Sequence, residues 1–273
     1  MKVHHLNCAS MRPFGGRLVY TKGAREICCH VLLVEAPEGL VLVDAGLGLV
    51  DLRNAKQRLG RLFMSLARPA LDEAETAIRQ VEKLGYSPKD VRHIVLTHMD
   101  LDHVGGISDF PEAEIHVMRD ELLAATRRAT LLETERYRPI QWSHRPKLVA
   151  HEATGEPFHG FAAVRALPGV SPEILLVPLV GHTRGHAGVA VSTDRGWLFH
   201  AGDAYFSEGQ IRPESPSCPP ALSLFQSIIA MDDHDRLTNT ERLAELARSK
   251  EVSVFSAHDV RELSPLVKGS KPV

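Results

Sequence analysis

The segment Thr97-His98-Met99-Asp100-Leu101-Asp102-His103-Val104-Gly105-Gly106 carries four potential metal ligands within six residues, His98, Asp100, Asp102 and His103, alternating with apolar Met99 and Leu101. A loop cannot bury that many polar groups without partners, and a divalent metal supplies them. Mixed imidazole and carboxylate donors suit zinc, iron or manganese; calcium prefers an all-oxygen shell. Further acidic and histidine residues fall where apolar runs stop: Asp44 in VDAGLG, His182 in GHTRGH, Asp203 in HAGDAYF and His258 in SAHD. With His98 these make five strand ends. Active sites are commonly built on loops at one edge of a rigid sheet.

The elements that must position these residues read as strands and helices in alternation. Residues 27–35 and 40–44 are apolar runs separated by Pro37, Glu38 and Gly39, the pattern of a hairpin ending at Asp44. Residues 52–68 are helical by the spacing of Leu52, Leu59, Leu62, Phe63 and Leu66, with five basic residues on a solvated face. A helix over 71–84 follows, with acidic residues in its first turn and Gly85 as C-cap. Residues 91–96 form a strand before Thr97, Glu114–Met118 another, and 119–128 a helix. Strands are expected over 174–180, 188–192, 197–200 and Val252–Phe255, and a helix over 223–231. Thr238 and Glu241 form a capping-box pattern opening a helix to about Ser249. Between about 130 and 168 the pattern degrades into scattered aromatic, His and Pro residues, which reads as an insertion or cap over a site. Tyr137, Trp142, His144 and Phe161 are the expected pocket wall. Strands then helices, twice over, favour a layered α/β or α+β domain.

Composition sets the outer bounds. The chain has 273 residues, 44% hydrophobic and 24% charged, with a formal net charge of -2. That describes an ordinary globular protein of one large domain or two small ones and argues against a dedicated nucleic-acid binder. No apolar run approaches the roughly 18 residues of a membrane span, and no signal peptide is apparent, so a cytoplasmic protein is expected. Cys28 and Cys29 lie in an apolar run and read as buried strand thiols, in keeping with reducing conditions. His4, His5, His30, His93, His116 and His200 read as structural. Asp232-Asp233-His234-Asp235 reads as a solvated helix end.

Taken together, VDAGLG, HMDLDH, GHTRGH, HAGDAYF and SAHD resemble the five motifs of the metallo-β-lactamase superfamily, in that family's order and over nearly the whole chain. The resemblance implies a single domain over 1–273 folded as a four-layer αββα sandwich, with a dinuclear metal site along the edge of its two sheets. It implies one metal on His98, Asp100 and His182, a second on Asp102, His103 and His258, and Asp203 bridging them. Asp44 would hold the loop by hydrogen bonds, and His186 would buttress it. The family's motif is usually His-x-His-x-Asp-His; here Asp100 stands at the middle His, so iron or manganese join zinc as candidate metals.

The mechanism so implied is hydrolytic. A metal-bridged hydroxide attacks an ester or lactone carbonyl, Asp102 orients it as well as ligating, and Tyr205 donates to the oxyanion or leaving group. Lactonases of the superfamily carry a tyrosine one residue further on. The expected partner is a small-molecule substrate, with neither nucleic acid nor membrane, and a homodimer through the insert or the basic helix is the expected assembly. Three alternatives stay open: an iron-dependent, dioxygenase-like redox enzyme, a phosphodiesterase, and a non-catalytic binding module.

Overall fold

The computed structural model describes residues 1–16, 26–152, 154–161, 165–167, 169–212 and 214–269. Strands β1 (Lys2–Asn7), β2 (His30–Ala36), β3 (Gly39–Val43), β4 (Val91–Val95), β5 (Glu114–Met118) and β6 (Lys147–His151) form one sheet in that order. Strands β7 (Arg165–Ala166), β8 (Ile174–Pro178), β9 (Ala187–Thr193), β10 (Gly196–His200) and β11 (Val252–Phe255) form a second, ordered β11-β10-β9-β8-β7. The β1-β2-β3 ribbon is antiparallel, whereas β3 through β6 run parallel, as do β10 and β11. Parallel neighbours need long crossovers, and these carry most of the helices: α1 (Leu49–Arg53), α2 (Ala55–Arg58), α3 (Gly60–Leu66), α4 (Ala77–Lys83), α5 (Leu101–Val104), α6 (Arg119–Arg127), α7 (Leu131–Arg136), α8 (Pro220–Ile229), α9 (Asp233–Leu246) and α10 (Val260–Gly269).

The layering follows from side-chain alternation. Leu32 and Val34 of β2, with Val41 and Val43 of β3, meet Leu176, Val189 and Val191 of the second sheet in a central core. The alternate residues Val31, Leu33, Leu40 and Leu42 pack outward against Ala77 and Val81 of α4 and Ala124 and Ala125 of α6. On the far side, Leu175, Val177, Ala190 and Phe199 pack against Leu243 and Leu246 of α9. Each sheet is covered on both faces, so its strands read as continuous apolar runs. A one-residue slip would exchange the two faces of a strand. The expected αββα sandwich is the observed fold.

Several boundaries differ from expectation. The 52–68 helix is three short helices, interrupted at Asn54 and again at Leu59, just before Gly60, whose φ is +82°. The 71–84 helix is a 3₁₀ turn, Glu73–Glu75, followed by α4. Helix α9 starts earlier than the Thr238/Glu241 pattern suggests: Asp232 caps it, its carboxylate accepting the Asp235 N–H at 3.0 Å. The acidic run 232–235 is therefore a helix end, as read. Much of the stretch taken for a cap is framework, because β6 completes the first sheet and α7 packs beside the strand-end loops; residues 153, 162–164 and 168 of that stretch lie outside the described residues. Among the described residues no helix is long and apolar enough to cross a membrane.

Candidate metal centre

Strands β3, β4, β8, β10 and β11 all end on one edge of the sandwich, and the segments leaving them carry Asp44, His98, His182, Asp203 and His258. The HMDLDH segment turns from β4 into α5, a single turn of helix that starts after Asp100 and contains Asp102 and His103. All of these side chains are buried except Asp100, which is partly exposed.

Asp203 stands at the centre. His98, Asp100, His182 and Asp203 offer ligand atoms within 4.8 Å of one another, and so do His103, Asp203 and His258. From Asp203 the Nε2 atoms of His98, His182, His103 and His258 lie at 3.8, 3.5, 3.4 and 3.2 Å. Asp102 Oδ2 is 3.6 Å from His258 Nε2. The structure thus brings together all seven residues expected as ligands. His98 Nε2, His103 Nε2 and Asp203 Oδ1 are buried without a hydrogen-bond partner. Buried polar atoms without partners are costly, and three of them converging in one His/Asp cluster fit a divalent metal.

The imidazoles are oriented from behind. Asp44 accepts the Thr97 N–H and the Thr97 O–H, each at 2.8 Å, and its Oδ2 is 2.8 Å from His103 Nδ1. Because Thr97 Oγ1 spends its proton on Asp44, it accepts from His98 Nδ1 at 2.9 Å. His258 Nδ1 donates to the Cys28 carbonyl at 2.7 Å. In each ring the outer nitrogen Nδ1 is tied to a partner behind it, so Nε2 is the nitrogen turned to the site. Asp44 does this from a left-handed backbone, φ +59°, a conformation that Asp tolerates better than most residues. His186 donates from Nδ1 to the Leu179 carbonyl and accepts the Asp203 N–H at Nε2, both at 2.9 Å. It buttresses the Asp203 loop. Gly202 is required beside it: its φ is +54°, and a Cβ there would lie 2.6 Å from His186 Nε2.

Charge is distributed unevenly. Burial opposes ionisation throughout, but Asp203 and Asp44 hold His103 well above its ordinary pKa, and Asp203 raises His258 to about 9. Burial and the neighbouring Arg136 push His182 down to about 4. Asp203 is held well below the usual carboxylate range by His258 and His103 despite its burial.

Four residues of the site have no sequence motif. Arg136, at the end of α7, donates from Nη1 to Asp100 Oδ2 at 2.8 Å and to His182 Nε2 at 2.9 Å. Glu121 of α6 accepts the Met99 N–H (2.9 Å) and Tyr137 O–H (3.0 Å) at one oxygen, and the Thr183 O–H (2.6 Å) and Gly185 N–H (3.2 Å) at the other, tying the His98 loop to the His182 loop. Glu262 of α10 accepts the Ser256 N–H and O–H at 2.8 and 2.7 Å beside the His258 loop. Cys29 is at the site: its Sγ is 3.5 Å from Asp102 Oδ2 and groups with Asp102 and His258.

Other expected residues lie elsewhere. Tyr205 is fully buried in the outer core, and its hydroxyl donates to Glu262 at 2.8 Å; that hydrogen bond and that packing turn it away from an oxyanion role. Its neighbour Phe206 faces the site instead, its ring centroid 5.0 Å from that of His258 and 6.0 Å from that of His182. Tyr137 packs in the first core with its hydroxyl on Glu121, Trp142 packs against that core, Phe161 packs on Phe199, and His144 is exposed. These four line no common wall. His93, His116 and His151 form a ladder on β4–β6, with nitrogens 3.0 and 2.9 Å apart, and Glu114 completes a group with the first two. Burial pushes His116 down to about 4 and lowers His93 as well.

The model of the metallo-β-lactamase superfamily matches residues 29–258. A probable metallo-hydrolase of Mycobacterium tuberculosis is 44% identical over 261 residues, covering 95% of this chain and 80% of that protein. An N-acyl homoserine lactonase of Bacillus cereus is 24% identical over 242 residues, 86% of this chain and 82% of that one. Among solved structures, an N-acyl homoserine lactone hydrolase with N-hexanoyl-L-homoserine at its catalytic metal centre superposes with a TM-score of 0.71 at 22% identity, covering 100% of this chain and 96% of that chain. The dizinc quorum-quenching lactonase AidC superposes at 0.56, with 17% identity over 85% of this chain and 73% of that one. With the αββα layers and the strand-end His/Asp cluster in place, the chain belongs to the metallo-β-lactamase superfamily.

Proposed function

We propose that this protein is a metal-dependent hydrolase that cleaves a carboxylic ester or lactone of a small molecule. One observation carries the reading: three buried ligand atoms without partners, His98 Nε2, His103 Nε2 and Asp203 Oδ1, converge at the edge of two sheets. His98, Asp100, Asp102, His103, His182, Asp203 and His258 would hold divalent metal. Such an ion supplies Lewis acidity and brings the pKa of a water toward neutrality.

The chain's own residues do the rest. Asp102 has one oxygen near His258 and the Cys29 thiol and, unlike Asp100, is not held by Arg136, which suits it to accept and hand on the proton of the attacking water. His186 and Glu121 keep the loops in register. Phe206 gives an apolar wall beside His182 and His258 and carries no hydroxyl, so leaving-group protonation falls to Asp102 or water rather than to a tyrosine. Zinc is the metal proposed, since imidazole and a nearby thiol suit it. Asp100 alone would favour a harder ion, but its charge is already balanced by Arg136, which removes the main argument for an iron-dependent redox enzyme. Lactonase relatives support the substrate class.

The test is a panel of acylamino-γ-lactones, aryl esters and aryl phosphodiesters offered to zinc-loaded protein, with His103→Ala as control. Turnover of lactone or ester, lost in the control, is expected. Oxygen consumption without hydrolysis, or a clear preference for phosphodiesters, would overturn the assignment.

A further inference from the structure

Arg136 introduces a permanent positive charge into the cluster. It is 7% exposed. Its Nη1 reaches Asp100 Oδ1 and Oδ2 at 3.1 and 2.8 Å and His182 Nε2 at 2.9 Å, while its Nη2 donates to the Ile229 carbonyl. The helix that delivers it is itself pinned: Thr130 and Glu133 form a capping box at its start, and Glu133 also takes Arg184 at 2.8 Å. Next along the chain, Tyr137 is fixed on Glu121.

Guanidinium has donors only. In its contact with Arg136, His182 Nε2 must therefore accept; the same nitrogen lies 3.1 Å from Asp100 Oδ2, so guanidinium and carboxylate both crowd the atom that a metal would need. Asp100, the residue that departs from the family's histidine, is likewise engaged at both oxygens. A carboxylate in place of a neutral imidazole lowers the local charge by one unit, and the guanidinium restores it. The opposite half is arranged differently. His103 Nε2, like His98 Nε2 in the first half, has no hydrogen-bond partner, His258 Nε2 faces the shared Asp203 at 3.2 Å, and Cys29 adds a sulfur within 4.8 Å of the Asp102 and His258 ligand atoms.

We propose that Arg136 is the resident cation of the His98–Asp100–His182 half-site, so that the two halves of the centre bind metal unequally: the Asp102–His103–His258 half takes one divalent ion tightly, and the other half takes a second ion only weakly, in competition with the Asp100–Arg136–His182 contact. This rests on the reading of the cluster as a metal centre. Arg136 acts as a positioning residue, holding Asp100 and His182 and setting their affinity for metal.

The experiment is a calorimetric zinc titration of chelator-stripped, desalted protein, with elemental analysis of the product. Wild type is expected to show one tight equivalent and a second weaker by roughly 10–100-fold or more, the range that a hydrogen-bonding neighbour exerts on a metal ligand. Arg136→Gln should tighten the second event, and Arg136→Lys, which keeps the charge, should tighten it less. His258→Ala should abolish the tight event, whereas His182→Ala should spare it. Two equivalents of equal affinity in wild type would overturn the proposal, as would a tight event lost in His182→Ala and kept in His258→Ala. The wild-type titration decides by itself if Arg136→Gln fails to fold. Failure to bind any zinc would instead overturn the metal centre, and this proposal with it.

Discussion

Glu121→Gln isolates the link between the loop that carries His98 and the loop that carries His182. The carboxylate accepts four hydrogen bonds, two at each oxygen, from Met99, Tyr137, Thr183 and Gly185, and is itself completely buried. A glutamine has the same shape but one carbonyl oxygen and one amide NH₂. Whichever way it is turned, its NH₂ faces one hydroxyl, which can turn to accept, and one backbone N–H, which cannot, so two N–H groups, one from each side, are left unsatisfied. Each buried donor left unsatisfied costs about 1–3 kcal/mol, so the loss is about 2–6 kcal/mol before relaxation. At this chain length about 1 kcal/mol corresponds to a shift of roughly 2–4 °C in Tm, which places the expected drop between about 4 and 24 °C. The assay is thermal unfolding of wild type and variant, each with zinc and with chelator. The metal ties the same two loops, so zinc should recover part of the loss. A Tm within about 2 °C of wild type in chelator would refute the reasoning, because two buried N–H groups cannot be left without acceptors at no cost.

Three further outcomes are expected. Asp44→Asn weakens the grip on His103 and Thr97 and should lower zinc affinity about 10–100-fold with little change in fold, measured by competition against a chromophoric chelator. Gly202→Ala puts a Cβ 2.6 Å from His186 Nε2 at φ +54° and should destabilise by about 1–3 kcal/mol, read from urea unfolding. Burial raises Glu262 to about 7 from an ordinary 4.5. The folded state then binds more protons than the unfolded state between those values, so this group's contribution to stability is full below about pH 4.5 and falls as pH rises through 7. Glu262→Gln should flatten that part of the metal-free stability profile, and an unchanged slope between pH 5 and 7 would contradict the assignment.

The parts legible in the sequence share a physical reason. Asp44, His98, His182, Asp203 and His258 stand where apolar alternation stops, and a strand end is visible in residue types alone. The layers followed because continuous apolar runs require cover on both faces. Arg136, Glu121 and Glu262 were not legible, since each lies on a helix of ordinary composition and reaches its partners across 15 or more intervening positions or into a neighbouring loop, a pairing that no periodicity records. Cys29 reads as a strand thiol, and it does precede β2; only the approach of the 102 and 258 loops makes it part of the centre. Tyr205 and Phe206 show the limit of motif spacing: a shift of one residue in the loop after Asp203 sends one ring to the outer core and the other to the site. Helix α9 was mistimed because Thr238 and Glu241 imitate a capping box inside a helix already capped by Asp232.

The most direct measurement of the central claim is acid release from an acylamino-γ-lactone by chelator-stripped protein as zinc is added back. Hydrolysis should be absent without metal and rise to a plateau as the centre fills, with His103→Ala and Asp203→Ala flat throughout. Equal hydrolysis before and after stripping, or a rise that both variants share, would contradict a hydrolytic metal centre at these residues.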